Sequence, residues 1–215
     1  MLEKMGAFFD ARLDGYEEHQ LTCIESAQEF YPFSASCLPG GNANILDLGC
    51  GTGLELNYYF ALAPEARVTG IDLAPGMLQA LGEKFPDKAL TLVQGSYFEV
   101  PFGEEAFDAA VSVESLHHFT QAEKLPLYRK LHAALKKNGY FILTDYFAPD
   151  EDYERFYRQE LLRLKAEQGI ADKDFYHYDT PLTIAHETEA LTDAGFSRVE
   201  ILGTWAATAT LKAYK

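Results

Sequence analysis

Apolar residues recur along this chain with two alternating periods. Asn44-Ile45-Leu46-Asp47-Leu48 is a short apolar run of the kind a buried strand carries, and Leu54 to Ala63 follows with the apolar density of a helix. The exchange then repeats. Arg67 to Asp72, Leu90 to Gln94, Phe107 to Val113 and Tyr140 to Asp145 read as strands, whereas Pro75 to Phe85 and Gln121 to Leu135 read as helices. Pro75 stands near its helix's first turn, where proline is tolerated. Lys136-Lys137-Asn138-Gly139 supplies the cations and glycine that close many helix C-termini. Strands alternating with helices predict an α/β fold: a doubly wound, mostly parallel sheet with right-handed crossovers and helices on both faces.

The flanks depart from this alternation. Phe8 to Tyr16 and Glu17 to Ala35 predict two helical segments, with Leu21, Ile24, Ala27 and Phe30 at helical spacing and Pro32 placed to kink or end the second. Pro39-Gly40-Gly41-Asn42 is a turn into the first strand. After the fifth strand, Pro149 to Asp179 interrupts the pattern. Asp152 to Gln168 predicts an amphipathic helix with Tyr153, Phe156, Tyr157, Leu161 and Leu164 on one face, and an aromatic loop, Asp174 to Asp179, follows. Ile184 to Ala194 is a further helix. Arg198 to Leu202 and Ala207 to Tyr214 predict two last strands around Gly203-Thr204. The expected organisation is a single domain: a helical leader (1–40), a ligand-binding core (44–146), a helical and aromatic lid insertion that builds a substrate pocket (150–180), and a C-terminal helix with strands (184–215).

A length of 215 residues suits one domain, and 47% hydrophobic with 24% charged residues is ordinary for a globular protein. Charge narrows the partners: 18 − 33 gives a net charge of −15, a field that repels phosphate backbones and disfavours nucleic acid. Cys23, Cys37 and Cys50 have no metal-binding spacing and form an odd, sparse set that fits a reducing compartment. The first residues lack a basic-then-apolar signal pattern, and no apolar run approaches the roughly 18 residues of a membrane span. A cytoplasmic protein with no membrane partner is expected; nothing in the pattern sets an oligomeric state.

The candidate chemistry begins where the first strand ends. Gly49, Gly51 and Gly53 stand at alternate positions, as a sharp turn requires when a ligand must press on its backbone, and the following helix start offers free N–H groups. Dinucleotide folds use Gly-x-Gly-x-x-Gly; here Leu54 occupies the third place and the third glycine falls one residue early. Asp72 ends the second strand, where a carboxylate can accept hydrogen bonds from both hydroxyls of a ribose.

The block Ile45-Leu46-Asp47-Leu48-Gly49-Cys50-Gly51-Thr52-Gly53 resembles motif I of the class I S-adenosylmethionine-dependent methyltransferases. Gly70 to Leu78 resembles the second motif of that family, Val100-Pro101-Phe102 its Leu-Pro-Phe, and Phe107 to Phe119 its fourth-strand motif. The resemblance covers residues 44–146. It implies a Rossmann-like sheet of seven strands with the last antiparallel, S-adenosylmethionine as cofactor with S-adenosylhomocysteine as product, and a small-molecule substrate. Carried over residue by residue, it implies cofactor contacts at Asp47, Gly49, Cys50, Gly51 and Gly53, a ribose contact at Asp72, and Leu73 and Met77 beside the adenine. Gly95, Ser96 and Tyr97 follow the third strand; many relatives carry an aspartate where this chain has Ser96, which leaves the adenine amino group's partner open. Glu114 faces the methionine end, and Tyr16, with Tyr31 as a second candidate, would reach the cofactor from the leader.

The implied reaction is in-line displacement at the sulfonium methyl carbon, in which the protein mainly orients and desolvates the reactants. A base is needed only if the nucleophile arrives protonated. His117, Tyr146 and Tyr178 are the catalytic candidates, with His177 beside them. Adjacent residues on a helix point about 100° apart, so His117 and His118 are not expected to face the site in the same way: His118 packs and His117 lines the pocket or acts as a base. No metal is expected, and a catechol-type metal enzyme is disfavoured because Tyr146 follows Asp145 and no second Asp-Asn pair is evident. Two other functions fit less of the pattern: a non-catalytic S-adenosylmethionine-binding regulatory protein, and a nicotinamide-dependent oxidoreductase, against which Leu54 argues.

Overall fold

The computed structural model describes residues 1–172 and 174–215. Three leader helices, α1 (Met5–Asp10), α2 (Tyr16–Cys23) and α3 (Ala27–Ser36), precede an alternating run: β1 (Asn44–Leu48), α4 (Leu54–Leu62), β2 (Arg67–Asp72), α5 (Pro75–Lys84), β3 (Ala89–Gln94), β4 (Phe107–Val113), α6 (Gln121–Ala134) and β5 (Leu135–Tyr146). Then come α7 (Glu151–Glu167), α8 (Ile184–Asp193), β6 (Arg198–Trp205) and β7 (Thr208–Tyr214). The strands form one seven-stranded sheet in the order β3-β2-β1-β4-β5-β7-β6. The first five are parallel, and β7 runs antiparallel between β5 and β6.

Alternation of side chains makes two cores. Ile45, Val68, Val111 and Ile142 face α3 and α4, packed with Phe30, Leu56 and Tyr59. Leu46, Leu48, Ile71 and Leu143 point the other way, toward Leu127 and Leu131 of α6 and Leu191 of α8. Each fully buried leucine or isoleucine contributes roughly 1.5–3 kcal/mol. Both faces being covered explains why the central strands read as apolar runs and not as alternating ones. A buried chain of hydroxyls, Ser34 to Thr144 at 2.5 Å and Thr144 to Thr210 at 2.8 Å, ties α3 to β5 and β7. On the other face, Lys124 of α6 and Glu187 of α8 form a fully buried ion pair at 2.5 Å, and the Tyr128 hydroxyl donates to the same carboxylate.

The structure corrects several expected boundaries. The leader breaks at Ile24 to Ser26, giving three helices, and Pro32 sits inside α3. The carbonyl that proline leaves without a partner belongs to the exposed Gln28, where water can satisfy it. Lys136 and Lys137 do not cap α6: the helix ends at Ala134, Leu135 is already extended, and Lys136 lies in β5 with its ammonium 2.9 Å from both Asp108 oxygens. Gly203-Thr204 is not the last turn. β6 continues to Trp205, whose ring packs on Phe33 at 5.1 Å, and the chain reverses at Ala206-Ala207 with Ala206 at φ +48°. Gly203 instead marks a bulge, where a Cβ would lie 2.6 Å from the Trp205 ring.

The insertion after β5 also packs differently from its apolar pattern. Phe156 is 59% exposed, and the buried anchor of α7 is a carboxylate. Glu154 accepts from the Thr183 N–H at 3.0 Å, from His186 at 2.8 Å and from Arg158 at 2.9 Å. The segment 150–180 includes Lys173, which lies outside the described residues. No described helix is long and apolar enough to cross a membrane.

Candidate active site

All five parallel strands bring their carboxyl ends to one edge, and the predicted residues at or just after those ends, Gly49 to Gly53, Asp72, Gly95 to Tyr97, Glu114 and Tyr146, gather along it. The glycine turn closes first. Gly49 N–H donates to Ile71 O at 2.8 Å and Gly51 N–H to the Asp72 carboxylate at 2.9 Å, so β2 holds the loop. The other Asp72 oxygen accepts from Ala74 N–H at 2.8 Å, which fixes the start of α5.

The three glycines have separate roles. At Gly49 a Cβ would fall 2.0 Å from Ser115 Oγ, so glycine lets the β4 loop cross. At Gly53 it would fall 2.5 Å from Leu81 and 3.2 Å from Leu56, so that glycine serves helix packing. Only at Gly51, φ +49°, does the position open on free space, with the Tyr16 ring and hydroxyl about 4 Å away across a cleft.

That cleft is lined by Gly49, Gly51 and Asp72 on one wall, Leu73, Met77 and Tyr97 on another, and Glu114 with Tyr16 across it. Met5, Phe9, Ser115 and His118 line it too. α1 and α2 lie over it and narrow it to about 50 Å³. Asp47, Cys50, Gly53, Gly95 and Ser96 are not brought to its surface. The Cys50 thiol turns into the core against Gly70, and Ser96 Oγ accepts from Phe98 N–H at 3.2 Å. Beneath the loop, Asp47 Oδ2, Thr52 Oγ1 and Glu55 Oε1 are buried without partners. Burial, and the charges of Glu55 and Asp72, push the Asp47 carboxyl well above the usual range. The open backbone at Gly51 and the Asp72 carboxylate beside it suit a ligand that presses on the loop and presents a ribose.

A second cavity of about 800 Å³ adjoins the first, sharing Phe9, Tyr16, Glu114 and His118 with it. Its roof is α1, α2 and the β6–β7 turn, with Arg12, His19, Trp205 and Ala206. Its floor holds His117, Tyr146, His177 and Asp179. Glu114 stands between the two cavities in a left-handed conformation, φ +51°, and accepts from Thr208 Oγ1 at 3.3 Å. Burial pushes its pKa up to about 8, partly opposed by His117.

His117 and His118 occupy a 3-10 turn at Leu116–His118, and both are buried. Asp145 fixes the first of them. Its Oδ1 lies 2.5 Å from His117 Nδ1, while its Oδ2 accepts from Leu116 N–H at 2.9 Å. Burial opposes charge on His117, but Asp145, with Asp179 and Glu114 beyond it, holds the pKa up at about 9. Burial and the charge of His117 take His118 down to about 4. His118 is expected only to pack, yet both rings line the larger cavity, and Asp179 Oδ1 lies 3.6 Å from His117 Nε2 and 3.1 Å from His118 Nδ1. The loop brings the third group that draws them together. That carboxyl stays well below its usual range: burial works against its charge, but the hydrogen bond from His118 and the charge of His117 outweigh it.

Other candidates are placed apart. Tyr146 lines the second cavity, its hydroxyl 2.5 Å from that of Tyr153. Tyr178 does not line it; its ring lies near Tyr157, and only its carbonyl approaches His118, at 3.3 Å. Tyr31 is buried in the α3 core. Among the described residues of the 150–180 segment only His177 and Asp179 line this cavity, and its roof comes from the leader and the β6–β7 turn. The two covers hold each other: Met5 N–H donates to Phe175 O, His177 N–H to Glu3 O, and the Phe8 and His177 rings stack at 3.5 Å.

Comparison with known proteins bears on the domain and the fold. Residues 46–143 match the family described as "Methyltransferase domain". An uncharacterised methyltransferase of Synechocystis sp. is 37% identical over 49% of this chain and 48% of its own length. A tRNA (carboxymethyluridine(34)-5-O)-methyltransferase of Arabidopsis thaliana is 30% identical over 54% of this chain and 26% of its own. Human N-acetylserotonin methyltransferase, solved with S-adenosylmethionine, superposes with a TM-score of 0.61 at 19% identity, covering 97% of this chain and 55% of that one. The chain spans 32–48% of the length of the Synechocystis protein and two further curated relatives. In domain and fold it is like the class I S-adenosylmethionine-dependent methyltransferases, whose named substrates include both small molecules and tRNA.

Proposed function

We infer that this chain, which carries a methyltransferase domain over residues 46–143 and has the class I fold, transfers the methyl group of S-adenosylmethionine to a small organic molecule. The observation that carries the substrate class is the second cavity: about 800 Å³, walled by aromatic and ionisable side chains, and joined to the glycine cleft at Glu114. Volumes of roughly 300–1,000 Å³ suit small molecules, and a net charge of −15 opposes a polynucleotide.

S-adenosylmethionine supplies a methyl group already activated on sulfonium. The chain's residues bind and aim. Asp72 receives the ribose hydroxyls, Leu73 and Met77 flank the adenine, and Gly51 and Tyr16 bracket the cofactor. Asp47 and Glu114 lie toward its methionine end. Across Glu114, His117 and Tyr146 meet the substrate's nucleophilic group, with Asp145 setting the His117 ring. The stacked leader and 174–179 loop exclude water, which strengthens each of these contacts. Transfer between adjoining cavities then needs little beyond alignment, and misplacement by about 1 Å costs on the order of 100-fold in rate.

Two variants divide the work. Asp72→Ala is expected to weaken cofactor binding by about 10- to 100-fold, the loss of two charge-assisted bonds, with circular dichroism unchanged; undiminished affinity in a calorimetric titration would remove Asp72 from the ribose. His117→Ala should cut turnover by about 100-fold and leave the cofactor dissociation constant within about twofold of wild type. The reading as a whole is tested with methyl-labelled cofactor and a fractionated metabolite pool. Protein-dependent label in a small molecule supports it. Label in tRNA alone, or cofactor binding with no transfer to any fraction, overturns it.

A further inference from the structure

We propose that His117, His118 and Asp179 form a binding site for one divalent first-row transition-metal ion in the floor of the larger cavity. The donors are His117 Nε2, His118 Nδ1 and an Asp179 carboxylate oxygen, and they lie within 4.8 Å of one another. Metal–ligand bonds of about 2.1 Å at octahedral or tetrahedral angles leave donor atoms roughly 3.0–3.4 Å apart. The carboxylate stands 3.1 Å from His118 Nδ1 and 3.6 Å from His117 Nε2, two separations within a few tenths of an ångström of that range, and the two imidazole nitrogens lie within 4.8 Å of each other and would close on the ion by a ring rotation. Two imidazoles and one carboxylate on one side of an ion, with the remaining positions open, is a donor set that first-row divalent ions accept.

What lies behind the donors argues for a metal over a simple ion pair. His117 Nδ1 is committed to Asp145 at 2.5 Å, which leaves Nε2 as the free nitrogen, aimed at Asp179. Asp145 is itself held, its other oxygen taking the Leu116 N–H at 2.9 Å and Oδ1 also taking the Tyr146 N–H at 3.0 Å. A histidine oriented by a carboxylate behind it is the supporting arrangement of most imidazole metal sites. The same commitment decides against a second grouping, Glu114, His117 and Asp145, because there the Asp145 oxygens and the one His117 nitrogen near them are already engaged with each other and with backbone. The open positions face the cavity that holds His177, Tyr146 and Glu114. An ion there would meet a substrate's hydroxyl or amine, and His117 would act on the nucleophile through the ion.

The site can be measured without cofactor or substrate, so its failure would leave the methyltransferase reading standing. The full chain is stripped with a chelator and titrated with Zn²⁺ by calorimetry and with Co²⁺ by visible absorption. One equivalent is expected to bind with a dissociation constant of about 1 μM or tighter, with Co²⁺ ligand-field bands and a raised melting temperature. Asp179→Asn, on a half-exposed side chain, should weaken binding by about 100-fold or more, and Asp145→Asn by about 10- to 100-fold through the loss of the orienting carboxylate. His118→Ala should abolish the bands; if it fails to fold, Asp179→Asn decides alone. Absence of binding up to about 1 mM would overturn the proposal, as would a Zn²⁺ affinity that Asp179→Asn leaves unchanged.

Discussion

In the Gly51→Val variant, S-adenosylmethionine at millimolar concentration no longer raises the melting temperature, and titration calorimetry registers no heat. The expected loss of affinity is roughly 1,000-fold or more, equivalent to about 4 kcal/mol. Gly51 is the one glycine of its loop whose absent side chain faces the cleft, and Tyr16 is the nearest group on the far side. A valine there adds three carbons to the space between loop and leader, where the proposed function puts the cofactor. The left-handed backbone, φ +49°, adds strain of roughly 1–2 kcal/mol for a branched residue, so the apo form should melt a few degrees lower while keeping its circular dichroism. Gly53→Val is the control with the opposite signature. Its side chain would strike Leu81 and Leu56, so it should damage stability first and binding only as a consequence. Wild-type affinity in Gly51→Val would remove the glycine loop from the site.

Glu187→Ala should cost about 3–5 kcal/mol of stability, read as a lower urea midpoint with an unchanged slope. The ammonium of Lys124 is then left in the α6–α8 interface with no counter-charge, its side chain only 1% exposed, and the Tyr128 hydroxyl loses its acceptor as well. The melting temperature should fall by roughly 10 °C for a chain of this size. Replacing both partners, Lys124→Met with Glu187→Leu, should recover most of the loss, since removing a buried pair together is often neutral. A single-variant loss below about 1 kcal/mol would mean that water reaches the pair.

The sheet was legible because its strands are buried on both faces and separated by amphipathic helices; Ile45 and Leu46, adjacent and apolar, already say that both sides are covered. Boundaries failed where tertiary contacts outweighed local signals. Lys136-Lys137 looks like a helix end, but Leu135 is drawn into β5 and Lys136 toward Asp108. Gly203 looks like a turn, yet its missing side chain makes room for Trp205. The glycine loop and Asp72 could be read from spacing because consecutive residues build that wall. The other wall is assembled from distant places. Asp179 stands in a loop with no periodicity, 62 residues beyond His117, and no local pattern marks it as the carboxylate that joins two histidines. Glu154 was hidden for the same reason: a charge on an amphipathic helix reads as solvated until Thr183 and His186 are seen around it.

The two-residue reversal at Ala206-Ala207 carries a consequence for how such a protein diversifies. It forms part of the roof of the larger cavity, lies at the sheet's far end from Gly51 and Asp72, and consists of two small exposed residues. Loop tips of this kind accept insertions and substitutions more readily than the elements they join. Descendants could therefore lengthen or reshape that tip, and acquire a new molecular diet, while inheriting the β1–β2 wall intact. Selection on what is methylated and selection on what donates the methyl group would act on separate stretches of the gene.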